Sequence, residues 1–450
     1  MKTILILGAG HSTPYLISDL LDFTEEIDAR VIVADRDLAA ARQRVGEHTR
    51  GEAIAFDVTD VDASEAVVAN ADVVVNLLPP SFQVPIARVC LHHGKSMISA
   101  SYQARALREL DEDAKRSGVL LLTEMGLDPG IDLMTAKALI DDVTARDGRI
   151  DRFVSYGAGL PDHRAVDVNP LRYVITWNPR NVVMAGEAGA AYLLDGKTRL
   201  VPWHRIFETT WWVDVPGIGT TEAYPNRDST AYRDILDLPD ARTLIRGTLR
   251  FPGYAEVWRH IIRLGYANEA LRVDALGSRT WAELAEMFIP AGPGALRERL
   301  ARFLGISPTG TVMERLEWLG LLADETIGGD PATPAEALAR QLGTRLARPA
   351  DVADLIILHH ELDVRWPDGG AERIISTLTH LGDPGGVTAM ARTVGLPAAL
   401  ATRKLLGGEL DGIHGAVLPT DRRIYEPILE ALADAGLRAH EESQPLPDET

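Results

Sequence analysis

A chain of 450 residues is longer than one hydrophobic core usually serves, so two or three domains are expected. Apolar residues make up 46% and charged residues 25%, the balance of a globular protein. The formal net charge of −19 opposes binding to nucleic acid, whose phosphates it would repel, but allows an anionic ligand wherever arginines cluster. The single cysteine, Cys90 in "PIARVCLHHGK", permits neither an intramolecular disulfide nor a cysteine zinc site and reads as a buried small hydrophobe. An apolar strand begins directly after Met1-Lys2, leaving no room for a signal peptide, and no apolar run approaches the ~20 residues of a membrane span. The expectation is a cytoplasmic enzyme or binding protein.

In chain order, the first stretch alternates strands and helices. "TILILGAG", "ARVIVADRD", "GEAIAFDVTD", "ADVVVNLLPP", "KSMISASY" and "VLLLTEMGL" read as strands. Between them "TPYLISDLLDF", "LAAARQRVGEH", "ASEAVVAN", "FQVPIARVCLHHG" and "ALRELDEDAKRSG" have helical spacing. Continuous apolar strands separated by amphipathic helices predict a doubly wound parallel sheet of the Rossmann type. After "GLDPGIDLMTAKALIDDV" the texture changes. "IDRFVSYGAGLP" is strand-like, and the Trp- and Pro-rich pieces "VITWNPRN" and "VPWHRIFETTWWVDVPGIG" read as a second α/β domain with a mixed or antiparallel sheet. From about Ala270 to Arg348 the sequence is helical. "DLIILHHELDVRW" and "AERIISTLTHLG" resemble a hairpin, "TAMARTVGLPAALATRKLLGG" is a small-residue helix, and the tail "EESQPLPDET" reads as disordered.

The turn after the first strand carries the first functional signal. Gly8 permits a tight turn, and Gly10 lets backbone approach a pyrophosphate that the next helix's N-terminus stabilises. His11 and Ser12 follow. The third glycine of a dinucleotide fingerprint would fall at position 13, where Thr13 is expected to crowd helix against strand. Pro14 suits a first helical turn. Asp35 ends the second strand, the place of a carboxylate that holds ribose hydroxyls, and Asp57 ends the third, within reach of an adenine edge. A carboxylate at Asp35 favours NAD. The adjacent Arg36 either stacks on adenine or binds the 2′-phosphate of NADP. The competing interpretation is a different ligand on the same fold, with Asp35 and Asp57 as solvated caps.

Later segments resemble saccharopine dehydrogenases of the L-glutamate-forming type. The resemblance rests on "NLLPPSFQVPIARVCLHHGKSMISASY", "TEMGLDPGIDLM", "SYGAGLP", "NPLRYVITWNPRNV", "YPNRDS", "RGTLRFPGYAEVWRHIIRLG" and "GDPGGVTAMARTVGLPAALATRKLL". It runs over nearly the whole chain, and the stretch from about Asp274 to Asp351 matches least. It implies a Rossmann domain over 1–128 completed by about 385–450. A substrate-binding and dimerisation domain would cover 129–270 and 352–384, and a helical insertion 271–351. It also implies reversible NAD(P)-dependent oxidation of saccharopine at its secondary amine, giving L-glutamate and 2-aminoadipate 6-semialdehyde, by a homodimer.

Each implied site residue also has a plainer interpretation. Ser101 and Tyr102 end a parallel strand, where ligands of such folds bind, and the resemblance makes both substrate contacts; Tyr102 otherwise reads as a core aromatic. Asp128 precedes Pro129 and reads as a helix N-cap or, by resemblance, as a substrate contact facing the amine; with Tyr102 it forms the candidate catalytic pair. Arg227, Arg246, Gly247 and Thr248 become saccharopine contacts, since arginine binds carboxylates bidentately. Arg227 otherwise pairs with Asp228, and Arg250 otherwise sits on a solvated strand position. Leu77, Leu78, Pro79 and Ala100 line the cofactor by resemblance, and Glu124 ends the last Rossmann strand near the nicotinamide. His92-His93 read as surface residues near a helix end, His359-His360 match no motif, and no metal is expected. The alternatives are a related amine dehydrogenase acting on lysine or carboxynorspermidine, or a non-catalytic NAD-binding protein.

Overall fold

The computed structural model describes residues 1–185 and 189–446. The chain divides into two compact units, Met1–Asp147 with Gly386–His440, and Gly148–Gly385 with the residues from Glu441 onward.

In the first unit the expected strands form as β1 (Lys2–Leu7), β2 (Ala29–Asp35), β3 (Gly51–Ala55), β4 (Val73–Asn76), β5 (Ser96–Ser99) and β6 (Leu120–Leu122). A seventh strand, Gly415–Val417, comes from the far end of the chain. The order is 415–417, β6, β5, β4, β1, β2, β3, and every neighbouring pair is parallel. The run from Ile4 to Leu7 is buried throughout because helices cover both faces of the sheet. The strand order reverses between β1 and β4, which puts the glycine turn after β1 at the crevice where such sheets bind ligands.

Helices α1 (Pro14–Phe23), α2 (Leu38–Val45), α3 (Val61–Ala69) and α4 (Gln83–His92) follow the first four strands, the short helices Arg105–Arg108 and Asp111–Ser117 lie between β5 and β6, and α5 (Ile131–Ala145), α6 (Ala389–Gly407) and α7 (Arg422–Asp434) are the other helices of the unit. The expected domain boundary at residue 128 falls short of α5, which belongs with the first unit. There the Tyr425 hydroxyl on α7 donates to Asp141 on α5 at 2.6 Å. Thr13 does not crowd the turn as expected. It is buried, and its hydroxyl donates to the Gly10 carbonyl at 2.9 Å. Close helix packing here is supplied instead by Gly395 of α6. A Cβ on Gly395 would lie 2.9 Å from the backbone nitrogen of Leu16 on α1.

The second unit is a ten-stranded mixed sheet. Its central strands are β7 (Arg149–Pro161), β8 (Ala190–Leu194), β9 (Lys197–Val201), β10 (Trp211–Val215), β11 (Gly219–Pro225), β12 (Arg227–Asp228), β13 (Thr243–Arg250), β14 (Asp354–Arg365) and β15 (Ala371–Leu381). β13 runs parallel to β7 and β12 parallel to β8, and the other pairs of known register are antiparallel. β14 and β15 form the expected hairpin, Leu355 to Leu381 through Arg365 to Ala371. The helices of 271–351 share one apolar cluster with this sheet: Trp281, Leu300, Met313 and Leu338 join Val154 and Leu249. The described part of the tail, residues 441–446, is ordered against the expectation of disorder. His440–Pro445 forms an edge strand on β15, and the Leu446 N–H donates to the Ala371 carbonyl at 3.0 Å. The last residues of the tail, 447–450, lie outside the described residues.

The Gly395 contact has a measurable consequence. Alanine ordinarily stabilises a helix interior relative to glycine by about 1 kcal/mol. At Gly395 the added methyl meets rigid backbone, and overpacking of this kind costs about 1–3 kcal/mol. Gly395→Ala is therefore expected to lower the chemical denaturation midpoint. An unchanged or raised midpoint would show that α1 and α6 are not in this close contact.

Candidate active site

The turn after β1 is held in two ways. Gly8 has φ +109°, and a Cβ there would stand 3.2 Å from the Leu77 carbonyl oxygen at the end of β4. The Ala9 N–H donates to Asp35 Oδ2 at 2.7 Å, and the Asp37 N–H donates to Asp35 Oδ1 at 2.8 Å. Asp35 is therefore not a helix cap. Asp37 caps α2, accepting from the N–H groups of Ala39 and Ala40. Past the turn, the N–H groups of Gly10, His11 and Ser12 find no acceptor among the described residues, and a Cβ on Gly10 would meet nothing within 4 Å. Consecutive unpaired donors at the start of a ten-residue helix, beside open space, suit the pyrophosphate of a dinucleotide.

Beside this turn lies a cavity of about 250 Å³ lined by Asp35, Arg36, Phe56, Asp57, Leu78 and Pro79, with Val58, Thr59 and Phe82. It brings together the expected adenosine residues from the ends of β2, β3 and β4. Asp57 does not cap α3, a role taken by Asp60. Its Oδ1 accepts from the Thr59 N–H and hydroxyl, and these bonds hold its carboxyl below the usual range. The residues present fit an NAD(P) molecule: turn donors for the pyrophosphate, Asp35 for the ribose, and Phe56 and Leu78 for the adenine faces.

The loops after β5 and β6 form a second group. The Tyr102 hydroxyl donates to Asp128 Oδ1 at 2.6 Å, and both residues are half-buried. Tyr102 is thus not a core aromatic. Asp128 is not an N-cap either. α5 starts at Ile131, Gly130 stands at its cap, and Asp132 accepts the Gly130 N–H at 2.7 Å. Gly130 is required there because a Cβ would overlap the Gly126 backbone. Glu124 is buried with φ +59°, and its Oε1 accepts from the Gln103 N–H at 2.9 Å. Ala100 packs against Gly126. Sequence reasoning missed Gln83. This buried residue donates to the carbonyls of Ser101 and Tyr102 and accepts from the Ala104 N–H. A glutamine among apolar residues at the start of α4 was the available signal.

In the second unit, Arg246, Thr248 and Arg250 point to one face of β13 and Gly247 to the other. A Cβ on Gly247 would lie 3.0 Å from Tyr156 on β7, which explains the glycine. Arg246 is buried, with its guanidinium 4.2 Å from the Tyr232 ring centre. Arg250 is not on a solvated position. It is buried, with its guanidinium 4.9 Å from the Tyr173 ring centre and 5.2 Å from that of Tyr254. Arg227 is exposed on β12 with φ +55°. Its neighbour Asp228 accepts the Thr230 N–H and hydroxyl. A cavity of about 400 Å³ beside Asp228 is otherwise lined by glycine, alanine, leucine, valine, proline and tryptophan, which does not suit a polyanion. His359 and His360 are buried in β14. His359 bonds Thr377 and Glu361, and Glu361 also meets Arg152 at 2.7 Å. Burial pushes the Glu361 carboxyl up, but His359 and Arg152 outweigh it and hold it at about 2. The fold also gathers a group that spacing did not predict. Glu65 on α3 lies against His93, and together with His92 their donor atoms fall within 4.8 Å.

The fold and cradle define a dinucleotide-binding oxidoreductase of the doubly wound class. The family model "Saccharopine dehydrogenase NADP binding domain" matches residues 4–122, and "Saccharopine dehydrogenase C-terminal domain" matches 126–437. The chain is 32% identical over 443 residues to the saccharopine dehydrogenase [NADP(+), L-glutamate-forming] of Saccharomyces cerevisiae, covering 96% of this chain and 97% of that protein. It is 34% identical over 447 residues to the mitochondrial alpha-aminoadipic semialdehyde synthase of Bos taurus, covering 97% of this chain but spanning only 47% of that protein's length. The apo structure of the Saccharomyces cerevisiae saccharopine dehydrogenase (L-Glu forming) superposes with a TM-score of 0.87 at 31% identity, covering 99% of this chain and 100% of that one. The chain belongs to the saccharopine dehydrogenase family. No helix among the described residues is long and apolar enough to cross a membrane.

The open space at Gly10 makes a direct test. Gly10→Val should leave the fold intact, since nothing lies within 4 Å of its Cβ. It should weaken NADH binding by more than about tenfold, or ~1.4 kcal/mol, by filling the pyrophosphate's place. Unchanged affinity in a fluorescence titration would remove the dinucleotide from this turn.

Proposed function

We propose that this protein catalyses the reversible NAD(P)-dependent oxidation of saccharopine to L-glutamate and 2-aminoadipate 6-semialdehyde, a step of lysine metabolism. The observation that carries this is the Tyr102–Asp128 hydrogen bond, at the C-terminal end of a sheet whose glycine turn suits a dinucleotide. The substrate's secondary amine gives up a proton, and the adjoining carbon gives up a hydride. Water then adds to the resulting C=N bond, and the C–N bond breaks to leave the glutamate amine and the aldehyde. NAD(P), which the glycine turn and Asp35 would hold, would supply the acceptor for that hydride, or its donor in the reverse direction.

The protein's own residues manage protons and charge. Asp128, held through Oδ1 by the Tyr102 hydroxyl, is the carboxylate that takes the amine proton. Tyr102 steadies the carboxylate and offers a hydroxyl to water or amine. Gln83 fixes the backbone of residues 101–104 and so aims Tyr102. Saccharopine carries three carboxylates. Arg227 and Arg246 answer them with guanidinium groups, and Thr248 adds a hydroxyl. Ser101 binds at the end of β5.

Two variants test this reading. Asp128→Asn retains an acceptor for Tyr102 but no longer takes a proton, so kcat with saccharopine should fall about 10²–10⁴-fold while NADH affinity holds. Arg227 is exposed, so Arg227→Ala leaves the fold alone. Losing a partner of a desolvated carboxylate costs about 2–5 kcal/mol, which raises the KM for saccharopine by roughly 30-fold or more. Wild-type turnover of lysine, with indifference to both substitutions in the absorbance of reduced nicotinamide, would instead favour a lysine dehydrogenase.

A further inference from the structure

Dinucleotide folds of this kind distinguish a free ribose 2′-hydroxyl from a 2′-phosphate at the loop between the second strand and its helix. Three carboxylates stand there. Asp35 lines the cavity with both oxygens engaged by the N–H groups of Ala9 and Asp37. It cannot swing aside without stripping the glycine turn of its acceptor. Asp57 lines the same cavity from the end of β3, steadied by Thr59. Asp37 places Oδ1 on the N–H groups of Ala39 and Ala40. The first turn of α2, which would otherwise offer donors to a phosphate, is thus already closed by a carboxylate.

Arg36 is the cation that lines this cavity, and it lies in the field of Asp57. A phosphate dianion entering here would meet like charge from an acid that is unable to move. Like-charge juxtaposition at a binding surface costs several kcal/mol. A ribose with free hydroxyls meets the opposite situation. Each Asp35 oxygen retains a lone pair beyond its backbone bond, so the hydroxyls donate to an acceptor already in position.

We propose that this chain selects NAD(H) over NADP(H), and that Asp35, fixed by the Ala9 N–H, is the residue that decides it. This departs from the NADP(+) in the name of the yeast relative. It rests on the dinucleotide half of the proposed function and is independent of the amine substrate.

The test is a fluorescence titration of the full-length protein with NADH and with NADPH, at one fixed ionic strength and with no amine substrate present. Wild type should bind NADH at least about tenfold more tightly, the equivalent of ~1.4 kcal/mol. Asp35→Asn keeps an oxygen for the Ala9 N–H and removes the charge. It should narrow that ratio by about tenfold, mainly through tighter NADPH binding. Asp37→Ser, which still caps α2, should raise NADPH affinity a few-fold and leave NADH unchanged. Wild type that binds NADPH as tightly as NADH, or an Asp35→Asn ratio that stays put, would overturn the proposal. Binding of neither dinucleotide would overturn it together with the cradle. NADH-selective binding without turnover of saccharopine would leave it standing and refute only the reaction.

Discussion

The Ala9 N–H points at Asp35 Oδ2 across 2.7 Å, joining residues twenty-six positions apart. Through this bond the end of β2 sets the shape of the turn after β1. The turn runs through a left-handed glycine against the Leu77 carbonyl, so it is close to backbone on one side and open on the other. Had the Ala9 N–H been left without an acceptor, burying it would have cost about 1–3 kcal/mol, enough to favour a different loop. With it satisfied, the donors that follow are free for a ligand. The same carboxylate lines the adjoining cavity, so the residue that shapes the turn is also the one proposed to read the ribose.

A similar economy runs through the rest of the molecule: buried polar side chains hold loops whose backbones carry the site. Gln83 ties down residues 101–104 from the first turn of α4. Asp132 takes the Gly130 N–H, freeing Asp128 from capping duty. Asn169 accepts from the N–H groups of Leu171 and Tyr173 and donates to the Tyr173 carbonyl, which sets Tyr173 against Arg250. Glu222 accepts from the N–H groups of Gly253 and Ala255 and closes the start of the helix Tyr254–Leu264. In each case a buried side chain supplies the hydrogen bond that a loop in a dry environment requires.

This division explains what the sequence made legible. The strands of the first unit declare themselves because burial on both faces demands unbroken apolar runs, such as Ile4 to Leu7 and Val73 to Val75. Gly8 and Gly10 are readable because backbone geometry alone restricts those positions. Capping was harder. Asp35, Asp57 and Asp128 each have a cap-like neighbourhood, yet the true caps or cap partners are Asp37, Asp60 and Asp132, shifted by two to four residues. Only the three-dimensional course of each loop separates a carboxylate that closes a helix from one that does not. The partners of Gln83, the Gly395 contact and the tail strand were out of reach for the same reason. Each is defined by a partner far along the chain: Ser101 and Tyr102, Leu16, and β15.

The arginines of β13 bear on how a chain of charge −19 handles an anionic substrate. A guanidinium buried against a carboxylate is neutralised and has little to offer a second anion. Among the described residues Arg250 is buried among tyrosine rings instead, with its guanidinium 4.9 Å from the Tyr173 centre, 5.2 Å from Tyr254 and 5.9 Å from Tyr224. Aromatic faces stabilise a cation through their quadrupole without cancelling its charge. The second unit therefore keeps a positive centre inside β13, two positions along the same face from Thr248. The field of that centre extends along the strand because the surroundings are apolar and screen it weakly. On the proposed function, a tricarboxylate reaching Arg246 and Thr248 would meet this field as well as direct donors, and local attraction of that kind would outweigh the repulsion of a distant, salt-screened net charge.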